Sequence, residues 1–456
     1  MPKSSKVYFF FLSLVLAIIG CGAPPSVSAP RDRGLPVAVT PTIANEFYKQ
    51  MGLLAAPPPV SLVGKTAFYA TRFPDTTLVL TSISLPNRAL TFSREGDRYS
   101  APYEVHIRIT RGDVEAASLN ALEVVRVGTF KEVNRSDESV IFQHFFRLPP
   151  GRYGLSVVMR DVGGARMTSQ DARLLVPRIS PTGLSTPLLT YEVTPRAVLD
   201  SAPRLLASPR STAVFGRDSL VSVFLEAYGG TGAPINYVVT NEAQERMFAD
   251  SATLPRTGSL FSGTVQIPIS SVGLGITKLS FVRRGTADTA SIPIFVSFGE
   301  DVPIMSFANM IEYLRFFAPE WRLKTLRGAT PAQRASVWAA FFRDTDPIPE
   351  TPVNEALESY FARIRQANVQ FLNDRNPGWL SDRGVVFVAL GEPTLIMDRN
   401  VNQGTGMQAG GSTRVQVWTY QQYHTQLFFY EDVGHWRLTR ASENEFWAIN
   451  SRRLSR

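Results

Sequence analysis

At Ser306 the hydrophobic period of this chain changes from two to 3.6, and that change divides what it can fold into. Before it, apolar residues alternate with polar ones in short runs broken by Gly, Pro and Asn. After it, they recur at helical spacing. Residues 103–110 show the first pattern most clearly: Tyr103, Val105, Ile107 and Ile109 point one way, and Glu104, His106 and Arg108 the other. Arg111-Gly112-Asp113 follows as a hairpin turn. Residues 139–146 and 153–159 read as a second strand pair joined by Leu148-Pro149-Pro150-Gly151-Arg152. Tyr153 stands where an immunoglobulin-like sandwich places a tyrosine corner, or is simply a strand aromatic. A further set of short strands is predicted at 219–225, 237–240, 264–269, 278–283 and 292–298.

Past Ser306 the period predicts helices. Phe307, Met310, Ile311, Leu314 and Phe317 share one face behind a Ser306 cap. Thr330-Pro331-Ala332-Gln333 is a capping box opening a helix that carries Val337, Trp338, Phe341 and Phe342. Thr351-Pro352 opens a third, lined by Leu357, Phe361, Ile364, Asn368 and Phe371. The apolar run from Val385 to Leu390 reads as a buried strand, followed by a Gly391-Glu392-Pro393 turn, a polar glycine-rich loop at 398–413, and a hairpin at 414–420 and 425–430. The expected class is therefore multidomain and mainly β: two immunoglobulin-like β-sandwich modules at 60–197 and 198–300, a three-helix segment at 301–375, an α+β segment at 376–440 and a basic tail at 441–456.

The first 59 residues carry an address. Lys3 and Lys6 precede an apolar run at 7–19 broken only by Ser13. At about 1.5 Å per residue that run is too short to span a roughly 30 Å hydrocarbon core, and it fits a secretory signal at 1–20. Ile18-Ile19-Gly20-Cys21 resembles the lipobox of bacterial lipoproteins. By that resemblance the Cys21 thiol receives diacylglycerol and its new amino terminus is acylated, with Ile18 in the place of the usual leucine, and Gly22 points to the outer membrane. Cys21 is the sole cysteine of the chain, and lipidation consumes a thiol that would otherwise invite wrong pairing. Acyl chains at about 0.8 kcal/mol per buried CH₂ anchor such a protein firmly in a bilayer. The Pro-rich stretch 21–59 then serves as a tether, with a possible short helix at 42–51.

The formal charge is +8, and +6 once Lys3 and Lys6 leave (45 − 39). The arginines are scattered, with no basic stripe, so nothing points to nucleic acid. His106, His144, His424 and His435 show no ligand spacing, and neither a metal nor a cofactor is expected.

Three ordered motifs carry a family resemblance. Asp346-Pro347-Ile348-Pro349-Glu350-Thr351-Pro352-Val353-Asn354-Glu355, then Gly378-Trp379-Leu380-Ser381-Asp382-Arg383-Gly384, then Gly391-Glu392-Pro393 resemble the GWxTD domain family. Ser381 stands where that family has threonine, and both hydroxyls can make the same hydrogen bond. Glu392 stands within a turn that the family usually writes Gly-Pro-Pro. The resemblance covers roughly residues 300 to 440 and implies an exported protein, often a lipoprotein with β modules ahead of the domain, but no reaction.

Two functions follow as expectations. The first is an envelope lipoprotein, anchored to the lipid bilayer through Cys21, whose modules interact with other envelope proteins. The second is an envelope hydrolase with Ser381 and Asp382 as nucleophile and base. A nucleophile needs a base oriented by a third group, and no histidine is tied to Ser381 in sequence. The residue chemistry therefore points to structure: Asp382 in an Asx turn, Trp379 packed over helices, and Asn354 and Glu355 in the first turn of a helix.

Overall fold

The computed structural model describes residues 48–49, 52–56, 58–135, 140–215, 217–297, 306–351, 353–374, 377–402 and 412–455. The signal segment, Cys21 and the tether up to Pro41 lie outside the described residues. Of the short helix expected at 42–51 only Tyr48 and Lys49 are described, and both are helical.

The first module contains β1 (Leu54–Ala56), β2 (Leu62–Ala70), β3 (Thr77–Leu85), β4 (Ser93–Glu95), β5 (Arg98–Arg111), β6 (Val114–Val127), β7 (Val140–Leu148), β8 (Gly151–Asp161) and β9 (Arg166–Val176). One sheet has the order β1-β2-β3-β7; the other runs β4-β5-β8-β9, with β6 on the free side of β5. Val79 and Ile83 of the first sheet meet Val105, Ile107, Val157 and Met159 of the second in one core. The alternation expected at 103–110 holds, and Gly112 (φ 61°) makes the turn after it.

The expected pairing of 139–146 with 153–159 is corrected. β7 pairs with β3, whereas β8 pairs with β5 and β9, so the Leu148–Arg152 link crosses from one sheet to the other. Pro149 and Pro150 lack N–H donors and force the preceding backbone to stay extended, so the chain passes over the core instead of folding back on itself. The Tyr153 hydroxyl then donates to Pro149 O at 2.8 Å, the bond a tyrosine corner makes. This geometry is compatible with an immunoglobulin-like sandwich.

The second module contains β10 (Leu188–Thr194), β11 (Arg204–Ala207), β12 (Thr212–Val214), β13 (Leu220–Ala227), β14 (Pro234–Asn241), β15 (Arg246–Thr253), β16 (Arg256–Thr257), β17 (Leu260–Pro268), β18 (Gly275–Arg283) and β19 (Thr289–Ser297). Its sheets have the orders β11-β10-β13-β17-β16 and β12-β19-β18-β14-β15. β10 bonds to β13, so a boundary at 197 falls inside this module's first sheet.

The modules share a face. All nine residues of β3 are buried. Val79, Ile83 and Leu85 enter the first core, while Leu78 and Leu80 join Ala67, Tyr69, Leu188, Leu205, Ala207 and Phe224 in a second apolar layer. Arg196 and Glu226 lie at the edge of that layer, 1% and 0% exposed, with Nη2 to Oε2 at 2.7 Å and Nε to Oε1 at 2.9 Å. Arg196 also donates to Ala70 O at 2.7 Å, and Tyr228 donates to Glu226 while accepting from Ala70 N. Lys65 Nζ reaches across the same joint to Ser211 Oγ at 3.0 Å, and burial pushes its ammonium down to about 7.

The C-terminal part holds α1 (Phe307–Tyr313), α2 (Glu320–Gly328), α3 (Arg334–Asp344), α4 (Glu355–Gln370), α5 (Asp382–Leu390), β20 (Leu395–Asn402), β21 (Ser412–Tyr420), β22 (Thr425–Asp432), β23 (His435–Leu438) and α6 (Arg440–Ser455). The four strands form a meander. The Ser306 cap and the Thr330 capping box form as expected. Among its described residues the expected three-helix segment has four helices, because α2 buries only Leu323 and Leu326 and leaves a weak periodic signal. The third expected helix starts after Asn354, not Thr351. The run ending at Leu390 is helix α5, not a strand; it is apolar on nearly every side because α4, β23 and α6 surround it. The basic tail is helix α6, which buries Phe446 and Ile449. Of the loop expected at 398–413, residues 398–402 and 412–413 belong to β20 and β21, and 403–411 lie outside the described residues. Among the described residues no helix is long and apolar enough to cross a membrane.

Candidate functional site

The Gly378–Gly384 segment is a turn of 3₁₀ helix, Gly378–Leu380, that runs directly into α5. Each of its residues has a task dictated by how tightly α4 and α5 approach. A Cβ on Gly378 would stand 2.9 Å from Phe371 C and 3.1 Å from Asn368 Cα, and closer still to Ala367 O. A Cβ on Gly384 would stand 2.8 Å from Trp379 Cα and 2.9 Å from Gly378 C. All of these atoms are backbone, so neither position has room for a side chain.

Trp379 is 0% exposed. Its ring stacks on Tyr313 at 4.8 Å between centroids and meets Phe316 edge-on at 6.4 Å, with the Arg315 guanidinium 5.0 Å above it. Its backbone N–H donates to Asn368 Oδ1 at 3.2 Å. The indole thus ties the turn after α1 to α4 and α5.

Ser381 is the N-cap of α5. Its Oγ accepts from Gly384 N at 3.0 Å and donates to Gly378 O at 2.7 Å, in a site only 4% exposed. The hydroxyl is therefore committed on both sides, and threonine at this position offers the same pair of bonds. Asp382 follows at the first helical position, where a carboxylate suits the helix dipole. The expected Asx turn is corrected: Asp382 Oδ2 accepts from Leu438 N at 2.8 Å, fifty-six residues away, and so ties α5 to β23. Arg383 makes a bidentate pair with Asp374, both bonds 2.7 Å, and donates to Gln416 Oε1 at 3.2 Å. Its guanidinium lies 5.1 Å from the Phe371 ring centroid and 5.0 Å from that of Trp436.

The remaining expected residues lie outside the Gly378–Gly384 turn, and the Asn354 and Glu355 side chains bond to residues 342–357 instead of to it. Asn354, 2% exposed, caps α4 by accepting from Leu357 N at 2.9 Å, and donates to Phe342 O at 2.8 Å. Glu355 accepts from Thr351 Oγ1. Gly391 ends α5 with φ 86°, and its carbonyl accepts from Tyr420 Oη at 3.1 Å. Pro393 lies in the link to β20. Asp374, Gln416 and Leu438 escaped the sequence reading. They join the motif across 9, 33 and 56 residues, and no local spacing signals such pairings.

The arrangement offers no nucleophile paired with a base. The depression that contains exposed His424 is lined by Thr419, Tyr420, Gln421, Thr425 and Gln426, and neither Ser381 nor Asp382 lines it. Among the described residues no group of three or more His, Cys, Asp or Glu is placed to hold a metal.

No curated protein matches the chain. Solved structures resemble parts of it. Dimeric latent PorU from Porphyromonas gingivalis shares 10% identity over 57% of this chain and 22% of its own, with a TM-score of 0.24. Trypsin-activated alpha-2-macroglobulin from Escherichia coli shares 10% over 52% of this chain and 17% of its own, at 0.19. Fibronectin(III)-like modules of CbhA from Clostridium thermocellum share 14% over 48% of this chain and 85% of their own, at 0.14. The chain spans less than a quarter of the length of the first two, and scores this low carry no argument. The GWxTD domain family model matches residues 279–450, beginning in β18 and so taking in the last two strands of the second module. The C-terminal part of this chain, residues 279–450, is a GWxTD domain.

Proposed function

We propose that this protein is a bacterial envelope lipoprotein, held by acylated Cys21 at the outer membrane, with a structural or interaction role toward other envelope components. One observation carries the address: the charged start, the 7–19 apolar run and Gly20-Cys21 stand in lipoprotein order, and Cys21 is the single cysteine of the sequence. The role draws on the motif. Gly378, Trp379, Ser381, Asp382 and Arg383 are each occupied in holding helices and sheet together, which suits a module that presents surfaces. The hydrolase reading has less to draw on, since the Ser381 hydroxyl is already bonded twice.

Replacing Cys21 by serine tests the address. The expected result is an unprocessed precursor in whole cells, while the wild type fractionates with membranes and gains the mass of its acyl chains. Equal processing and equal membrane binding of Cys21→Ser would remove the anchor. A pull-down of the wild type from solubilised membranes tests the role, and recovery of no partner and no assembly counts against it.

A further inference from the structure

Several arginines of this fold are paired with acids, and Arg283, 4% exposed, is instead held by four backbone carbonyls. Arg383 has Asp374, Arg196 has Glu226, and Arg327 has both Glu312 and Glu320. Two arginines of the GWxTD domain have neither an acid nor such a set of carbonyls. Among the described residues, neither Arg363 on α4 nor Arg453 on α6 has a carboxylate within ion-pair reach, although both are half-buried. Arg363 donates from Nε to Val388 O at 3.0 Å and from Nη1 to Ser359 Oγ at 3.4 Å. Arg453 donates from Nη2 to Phe316 O and to Asn450 Oδ1, and its Nε is buried with no hydrogen-bond partner in the protein. Those bonds satisfy carbonyls but leave the charges uncompensated, and a guanidinium has five N–H donors.

The two charges converge on one place. The Arg363 guanidinium lies 5.9 Å from the Tyr360 ring centroid, and the Tyr360 hydroxyl donates to Tyr313 O at 2.6 Å, one turn before the Phe316 carbonyl that holds Arg453. Arg315, between those two carbonyls in the chain, lies over Trp379 and Phe316 and adds a third positive charge. Burial pulls both Arg363 and Arg453 below the ordinary arginine range, and on Arg453 the Arg363 charge acts in the same direction. Burial raises the Tyr360 phenol, and all three guanidiniums oppose that rise.

We propose that Arg363 and Arg453, with Arg315 beside them, frame a binding site for a phosphate-type oxyanion at the junction of α4, α6 and the turn after α1. An oxyanion supplies the charge the fold leaves out, and guanidinium forks match its geometry. The phosphate belongs either to a soluble anion or to a lipid headgroup.

The test uses the full chain in neutral detergent, melted in sodium phosphate and in sodium chloride of equal ionic strength. The expected result is a higher midpoint in phosphate for the wild type. In Arg363→Gln/Arg453→Gln, phosphate should bind at least about tenfold more weakly, judged against that variant's own chloride melt. Arg363→Gln alone, which loses one carbonyl bond, repeats the comparison should the double variant fail to fold. An equal phosphate effect in wild type and variants is general salting-out, and it overturns the site. No phosphate effect in the wild type does the same. Melts in mixed micelles then separate the sources. An Arg-dependent rise with phosphatidylglycerol but not phosphatidylcholine supports a headgroup, and a rise with inorganic phosphate alone supports a soluble anion.

Discussion

Gly384→Ala is expected to destabilise the GWxTD domain by about 3 kcal/mol or more, the upper range for overpacking a rigid interior. The added methyl meets Gly378 O, Gly378 C and Trp379 Cα, all backbone atoms of the turn that precedes α5. None of them can rotate away as a side chain would. Relief requires the Gly378–Leu380 turn to move, and that turn is itself wedged against Ala367 O and Phe371 on α4. The displacement also lifts Trp379 from its stack on Tyr313. Urea unfolding followed by tryptophan fluorescence checks the effect, since Trp338, Trp379 and Trp418 are all fully buried in this domain. A midpoint within error of the wild type would show that the close approach of α5 to the Gly378–Leu380 turn does not matter.

The second large effect lies at the joint between the β modules. Glu226→Leu leaves the Arg196 guanidinium 1% exposed with no carboxylate to balance it, and breaking a buried pair in this way costs about 3–5 kcal/mol. Arg196 still holds Ala70 O, Leu199 O and Ser201 O, so its charge stays buried and cannot swing out to water. Arg196→Met/Glu226→Leu removes both charges and is expected to recover part of the loss, because an apolar pair of similar volume fits the adjoining layer of Leu188, Leu205 and Phe224. Differential scanning calorimetry of the two variants decides the matter. A double variant no more stable than the single one would mean that the carbonyl bonds, not the ion pair, hold the joint.

Much of this fold is legible in residues whose signals are local. The alternation at 103–110, the Ser306 cap and the Thr330 capping box each depend on neighbours within four residues, and each forms. The packing of Trp379 and the cap at Asn354 follow from residue chemistry in the same way. What escapes is what tertiary contact decides. Residues 385–390 are apolar throughout, and such a run reads equally as a buried strand or as a helix enclosed on all sides; Ser381 bonding to Gly384 N settles it as a helix. The Leu148–Arg152 link looks like a hairpin until β7 finds β3 and β8 finds β5. β15, mostly exposed, carries no alternation to detect. At the motif, residue types indicate a structural role, but Asp374 and Leu438 reach it only through the fold.

The motif hydroxyl acts as a helix cap. The direct measurement is the urea midpoint of Ser381→Ala beside Ser381→Thr. A cap predicts a loss of about 1 kcal/mol for alanine and retention within about 0.5 kcal/mol for threonine, which carries the same hydroxyl. An alanine variant as stable as the wild type would contradict it.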